Sequence, residues 1–213
     1  MFDLLRKELR LAVHPSMYVF AALGALVLVP AYPYGVVFFF AMLGIFQSIM
    51  YARETRDIYF TALLPVRKRD VVKAKLLLAA FAQVVQLLIS VPFAFLRTLY
   101  MSEGNPAGIE ANVAYYGFGL MIFGIFNLVF FTRFFKTAYK AGVAFLIALV
   151  PATICIVAME VVVHFPGMEW LDGISPELLL RQVPVLLLGF AVYIGTWYWA
   201  YASAAKKFEQ VDL

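Results

Sequence analysis

Residues 141–163 read AGVAFLIALVPATICIVAMEVVV, and this long apolar run contains a single charged side chain, Glu160. Arg133, Lys136 and Lys140 come shortly before it. A spanning helix needs about 20 mostly apolar residues, and short loops rich in lysine and arginine stay in the cytoplasm during insertion. The run therefore predicts a membrane-spanning helix that starts at the cytoplasmic face.

Five further stretches have the same apolar character, and 64% of the 213 residues are hydrophobic. A soluble domain has roughly 45–50% apolar residues, so soluble folding is excluded. We therefore predict an all-α integral membrane protein in which residues 1–213 form one transmembrane domain, without a separate catalytic or ligand-binding domain. The six spans are predicted at about 16–31, 35–51, 73–96, 113–132, 141–163 and 183–203.

The basic residues favour one side of this predicted bundle. If each apolar stretch crosses the membrane, both termini and the two longest basic stretches face the cytoplasm. Charges at helix ends indicate orientation and contact with anionic membrane lipid, and do not indicate nucleic-acid binding. Fifteen of the 17 lysines and arginines fall on the cytoplasmic side: Arg6, Lys7, Arg10, Arg53, Arg56, Arg67, Lys68, Arg69, Lys73, Lys75, Arg133, Lys136, Lys140, Lys206 and Lys207.

The amino-terminal segment, residues 1–14, has the pattern of a helix that lies in the membrane interface. Leu5, Leu9 and Val13 share one helical face, and charged side chains occupy the adjacent one. Pro15 follows directly and permits a bend into the first span. We therefore predict an interfacial amphipathic helix before the first crossing.

Residues 52–72 form the longest cytoplasmic connection. Glu54 and Asp57 suit the start of a short helix, Pro65 disfavours helical geometry in the residue before it, and Asp70 suits an N-cap for the third span. The predicted structure is a short amphipathic helix parallel to the membrane.

The centre of this connection is unexpectedly apolar. One interpretation is a solvated basic loop that only enforces topology. A loop exposed to water gains nothing by displaying five large apolar side chains, so we favour a docking element with a charged rim. The five side chains are Ile58, Tyr59, Phe60, Leu63 and Leu64.

Residues 63–75, LLPVRKRDVVKAK, resemble the Leu-Pro-Val-Ser-Arg…Val…Ala-Lys pattern after the second span of ABC type-2 transporter permeases. With the interfacial helix and six-span layout, the likeness covers essentially the whole chain. It is closest to small six-helix members such as the membrane subunits of phenol-soluble modulin exporters. Arg67 departs from the pattern, because the family has serine there.

The resemblance implies that residues 52–72 are a coupling segment that docks on a separate ABC ATPase subunit. It also implies a homodimer in the bacterial cytoplasmic membrane, and an exporter of amphipathic peptides or other hydrophobic compounds. The residues that it makes candidates for ATPase contact are Glu54, Arg56, Asp57, Tyr59, Leu63, Leu64, Arg67 and Lys68.

The chain has no Gly-x-x-x-x-Gly-Lys-[Ser/Thr] phosphate-binding loop, so we expect ATP and Mg²⁺ to be bound by the partner ATPase. We predict no enzymatic activity, cofactor or metal in this chain, because its two histidines, His14 and His164, lie far apart. The alternatives are a substrate-capturing subunit of a vitamin importer, a membrane scaffold or immunity protein, and an intramembrane enzyme.

Several polar side chains fall within the predicted spans. They have two interpretations, which are hydrogen bonds between helices and the wall of a substrate path. Glu160 lies about 30 Å beyond Lys140 along a helix, near the outer boundary, where it has either a structural or a gating role. The candidates for a substrate path are Gln47, Gln83, Gln86, Ser90, Asn127 and Glu160.

Overall fold

The computed structural model describes residues 2–100 and 104–211, and within these ranges every regular element is a helix. Residue 1 of the predicted interfacial helix, residues 101–103 between the third and fourth predicted spans, and residues 212–213 lie outside the described part. The α-helices are α1 (Phe2–Lys7), α2 (Ser16–Ala22), α3 (Gly35–Glu54), α4 (Asp57–Ala62), α5 (Lys68–Tyr100), α6 (Val113–Phe134), α7 (Ala141–Val162) and α8 (Pro176–Glu209); Glu8–Ala12 is π-helical, and Leu23–Leu28 and Glu169–Leu171 are 3₁₀-helical.

Helices α3, α5, α6, α7 and α8 are each long and apolar enough to cross a membrane. The residues before them form a bent pair, Leu4–Ala12 and Ser16–Leu28, with an angle of 92° between its halves. If this pair counts as one span, the described residues contain six crossings. The predicted all-α membrane fold is confirmed.

The first predicted span is shorter in the structure than its predicted range of 16–31. Its helical part is Ser16–Leu28, and Pro30 and Pro33 follow. Seven α-helical and six 3₁₀-helical residues rise about 22 Å, less than the ~30 Å hydrocarbon core. Gly24 permits this part to pack tightly on α5, since a Cβ there would lie 2.5 Å from the Gln86 carbonyl oxygen.

Helices α5 and α8 are longer than their predicted apolar spans, 73–96 and 183–203, and contain 33 and 34 residues. The prediction of Asp70 as an N-cap is wrong, because α5 begins at Lys68 and Asp70 lies in its first turn. A carboxylate in the first turn still interacts favourably with the exposed amides. The extra turns extend these helices beyond their apolar segments.

Helix α6 lies at the centre of the bundle, and six of its eight aromatic side chains are fully buried. The ring of Tyr115 stacks on Phe38 of α3 at 4.7 Å, and Phe126 stacks on Phe130 at 5.2 Å. Helices α6 and α8 approach closely at Gly117 and Gly189. A Cβ at Gly189 would lie 2.3 Å from the carbonyl oxygen of Gly117. The interior of the single bundle is therefore filled.

Candidate functional site

Helix α4 is a separate short helix between α3 and α5. Helix α3 ends at Glu54, and Arg56 has a left-handed backbone with φ of 53°, which breaks the helical path. Asp57 then starts α4, where its negative charge suits the helix N-terminus. Helix α4 ends at Ala62, three residues before Pro65. The helix within the predicted coupling segment is therefore six residues long.

The outward face of α4 and the residues after it form a surface that we call the apolar knob: Tyr59, Phe60, Leu63 and Leu64. Leu63 is 72% exposed and Phe60 is 59% exposed. Ile58, by contrast, is buried and holds α4 against the bundle. Four large apolar side chains displayed together outside the apolar spans indicate an interaction surface.

The inward face of α4 contacts a group of buried charges, which we call the charge cluster: Lys7, Glu8, Asp57 and Lys75. The Lys75 ammonium lies 2.5 Å from a Glu8 carboxylate oxygen and 2.9 Å from one of Asp57. The Lys7 ammonium lies 2.6 Å from the other Asp57 oxygen and 3.0 Å from Glu8. Lysines and carboxylates thus alternate around a closed ring.

Two members of the charge cluster are shielded from water, whereas the side chains of Lys7 and Asp57 are 16% and 10% exposed. The side chain of Glu8 is 0% exposed and that of Lys75 is 1% exposed. Burial raises the pKa of the Asp57 carboxyl, but the nearby Lys75 and Lys7 ammonium groups outweigh this, and its pKa lies below the ordinary value. Asp57 is therefore ionised at neutral pH, and the two carboxylates balance the two lysines.

The residues predicted to contact an ATPase divide into two groups. Glu54, Arg56 and Arg67 are exposed, as are the three predicted residues of the apolar knob, Tyr59, Leu63 and Leu64. Asp57 is turned inward to the charge cluster. Lys68 donates a hydrogen bond to the Val211 carbonyl oxygen at 2.7 Å. The structure thus brings six of the eight to the surface.

Beside α4, a cleft of about 700 Å³ opens toward the loop between α6 and α7. Arg53, Arg56 and Tyr59 line one wall, and Thr137 and Tyr139 line the other. The Arg53 guanidinium lies 5.3 Å from the centre of the Tyr139 ring. The cleft separates the predicted coupling segment from the loop between α6 and α7.

Three polar side chains inside the bundle are hydrogen-bonded to one another. Gln83 and Asn127 exchange two hydrogen bonds of 2.9 Å, and Tyr193 donates another to Gln83 at 2.8 Å. All three bonds are buried. Within this chain they connect α5, α6 and α8.

The remaining polar candidates on α3 and α5 lie apart from that group. Gln86 donates to the carbonyl oxygens of Phe20 and Val37, at 3.1 and 2.9 Å. The Ser90 hydroxyl lies 3.1 Å from that of Tyr116, and Gln47 is only partly buried. These residues are thus spread over several helix contacts, and their assignment to a substrate path stays a prediction.

Glu160 joins three parts of the chain at the end of the bundle that is predicted to face away from the cytoplasm, which we call the outer end. One of its carboxylate oxygens accepts a hydrogen bond of 2.6 Å from the Gly35 amide, at the start of α3, and the other accepts one of 3.0 Å from the Ile109 amide. A carboxylate at a helix N-terminus satisfies amides that have no partner within the helix. Glu160 thus closes the outer end of the bundle.

The residues before α6 fold into the outer end of the bundle, and we call residues 104–112 the outer loop. Ile109 is fully buried there. Glu110 forms two hydrogen bonds of 3.2 Å with Arg97, and its amide donates to Asp172 at 2.6 Å. Burial raises the pKa of the Asp172 carboxyl, although this hydrogen bond acts in the opposite direction. The outer loop is therefore held by charged side chains.

Replacing Gly108 with alanine is expected to open this outer end. A Cβ at this position would lie 1.7 Å from a carboxylate oxygen of Glu160, so the carboxylate would lose its bonds to Gly35 and Ile109. We expect a loss of about 2–3 kcal/mol, from two broken charge-assisted hydrogen bonds, measured as a lower melting temperature in detergent. Gly142→Ala is the control, because a Cβ there meets nothing within 4 Å. Equal melting temperatures for Gly108→Ala and Gly142→Ala would contradict the role of Glu160 in holding the outer end together.

Sequence reasoning missed the partners of Asp57. From the sequence, Lys7 and Lys75 are interpreted as cytoplasmic charges and Glu8 is not singled out, and the ring joins positions as far apart as 8 and 75. One signal was available, since Glu8 follows Leu4 by four residues on a helical face that continues to Ala12. An acidic residue on such a face indicates a buried partner.

The long apolar helices define a multi-pass membrane protein. A family model described as ABC-2 family transporter protein matches residues 3–209, and the chain belongs to this family. Neither a curated protein nor a solved structure matches the chain. Members of this family are membrane subunits of ABC transporters, so the chain is a transporter permease whose expected partner is an ABC ATPase.

Proposed function

We propose that this permease is the membrane subunit of an ATP-driven exporter and that its apolar knob docks on the ATPase. The exposure of Leu63 and Phe60 beside charged residues is the observation that supports docking. Apolar anchors surrounded by polar residues are typical of energetically important contacts between proteins. Glu54, Arg56 and Arg67 form the polar surroundings, and ATP and Mg²⁺ are bound on the partner.

The proposed assembly contains two copies of this chain and two ATPase subunits in a bacterial cytoplasmic membrane. The filled interior supports this arrangement, because Phe123, Phe126 and Phe130 are fully buried where a path through one bundle would run. A path between two copies needs no such opening. Helices α7 and α8 carry large exposed apolar faces that would lie against lipid or the second copy.

Amphipathic peptides or other hydrophobic compounds are the proposed cargo. Cargo of this kind can pass along apolar helix faces between two copies, whereas a small polar ligand needs an enclosed polar pocket. On α8 the exposed apolar side chains include Leu187, Ile194 and Trp199. The resemblance to exporter subunits supports the same class of cargo and the outward direction.

Changing both Leu63 and Leu64 to aspartate is expected to release the ATPase. The two charges would lie where the apolar knob is desolvated on docking, and the loss of such anchors weakens a complex about tenfold or more. The measurement is the amount of ATPase that purifies with a tagged permease. The melting temperature should not change, because both side chains are exposed.

The matched control is Phe165→Asp combined with Ile174→Asp. Both side chains are exposed apolar residues in the connection between α7 and α8, on the opposite side of the membrane. This variant should retain the ATPase. Undiminished co-purification with the Leu63 and Leu64 variant would contradict the docking assignment.

A further inference from the structure

The charge cluster connects three separate parts of the cytoplasmic side. Lys7 and Glu8 lie at the junction of α1 and the π-helical turn, Asp57 begins α4, and Lys75 lies on α5. Each lysine contacts both carboxylates, so no single ion pair is isolated. The Lys7 ammonium also donates to the Thr61 hydroxyl at 2.7 Å, which adds a second contact to α4.

Moving α4 away from α1 and α5 would be electrostatically unfavourable, because Asp57 would leave the charge cluster. Withdrawing Asp57 would leave two lysines with only Glu8, in a site where Glu8 and Lys75 are almost completely buried. A buried charge that loses its partner is strongly unfavourable. Ile58, which is also buried, would be exposed by the same movement. Helix α4 is therefore expected to move only together with α1 and the start of α5.

We infer that Asp57 and Lys75 are positioning residues that make α4, α1 and the start of α5 move as one body during transport. The inference rests on the proposed docking of the apolar knob. Pushing the knob would then tilt α1 about the 92° bend at His14 and Pro15. The π-helical turn begins at Glu8, and such turns inside helices are frequent at functional sites.

Two pairs of spin labels test this movement in the complex with the ATPase. Cys155 is the only cysteine, so its replacement by serine gives a background for labelling. The pair Arg10→Cys and Arg56→Cys reports on distances within the proposed body, and the pair Arg10→Cys and Lys140→Cys reports on distances between the body and α7. All three labelled positions are exposed. Distances are compared in nucleotide-free complexes and in complexes trapped with ATP, Mg²⁺ and vanadate.

We expect the distance between positions 10 and 56 to be the same in both states, and the distance between positions 10 and 140 to change on trapping. Asp57→Asn should abolish that change while the ATPase stays bound, because the apolar knob is intact. Asp57→Glu restores the charge and should restore the change. Asp70→Asn is the matched control, since Asp70 forms no ion pair among the residues that the structure describes.

Three results would overturn the inference. The first is a change between positions 10 and 56 on trapping, and the second is an unchanged distance between positions 10 and 140 in the unmutated complex. The third is loss of the ATPase from Asp57→Asn, which would make the charge cluster part of the docking surface. The proposed docking function is tested by a different experiment. It fails if the variant with aspartate at positions 63 and 64 still retains the ATPase.

Discussion

Gly189→Val is expected to force α6 and α8 apart and to lower the melting temperature of the purified chain by roughly 10 °C. A Cβ at position 189 would lie 2.3 Å from the carbonyl oxygen of Gly117 and 2.8 Å from its Cα atom. These are backbone atoms, so no side-chain rotation relieves the clash. Overpacking of this kind costs about 3 kcal/mol or more, because the whole helix must shift.

The same interface repeats one heptad further along both helices. A Cβ at Gly124 would lie 2.4 Å from the hydroxyl of Thr196 and 3.2 Å from the Cα atom of Tyr193. Small residues let membrane helices approach until their backbones touch, and dispersion then holds them together. A hydrogen bond from Tyr193 of α8 to Gln83 of α5 lies near this contact, and Gln83 is bonded in turn to Asn127 of α6.

Gly195→Val is the matched control for this prediction. It lies on the same helix, and a Cβ there meets nothing within 4 Å. The two variants make the same chemical change in the same helix and differ only in what the new side chain contacts. Melting temperatures measured by fluorescence in detergent should therefore separate them. A similar decrease in both would mean that β-branching, and not the contact with Gly117, is responsible.

The spans could be predicted because they depend on local composition. A run such as 141–163 has one stable environment, the hydrocarbon core, whatever the rest of the chain does. Helix α7 accordingly covers Ala141–Val162. The first span was harder, because its helix is short and ends in a 3₁₀ segment that packs on α5 through Gly24. That contact depends on the fold and not on local hydropathy.

The position of Glu8 indicates a buried partner, but the partners within the charge cluster could not be predicted, because they come from three parts of the chain that are distant in sequence. Local reasoning assigned the negative charge of Asp57 to the start of a short helix, and the family resemblance implied that Asp57 contacts an ATPase. In the structure Asp57 does begin α4, but its carboxylate pairs with Lys7 and Lys75. Burial of a charge is decided by which elements pack together, and a single sequence does not reveal this.

The outer loop shows the same limit. Gly104, Asn105 and Pro106 are turn formers, and a turn is present at Pro106–Ala107. Nothing in that pattern indicated that Ile109 and Glu110 would be buried or that Glu160 would bond to the loop. The two interpretations left open for Glu160 were a structural and a gating role, and the contacts with Gly35 and Ile109 favour the structural one.

Lys75→Met is expected to destabilise the chain by about 3–5 kcal/mol, the usual result of removing one partner from a buried ion pair. Methionine retains most of the apolar stem, so the change removes mainly the ammonium group. Glu8 and Asp57 would then share only Lys7, and Glu8 is 0% exposed. We expect a decrease of roughly 10 °C in melting temperature. Lys73→Met is the matched control, because Lys73 forms no ion pair among the described residues.

A second change separates loss of charge balance from loss of packing. Glu8→Gln in the Lys75→Met background removes the excess negative charge and leaves Lys7 paired with Asp57 at 2.6 Å. Because Glu8 and Lys75 contact each other, the two changes should not be additive, and the double variant should be more stable than Lys75→Met alone. The charges act independently if the double variant is less stable than the unmutated chain by the sum of the effects of Lys75→Met and Glu8→Gln. The ring geometry would then not explain the burial of Lys75.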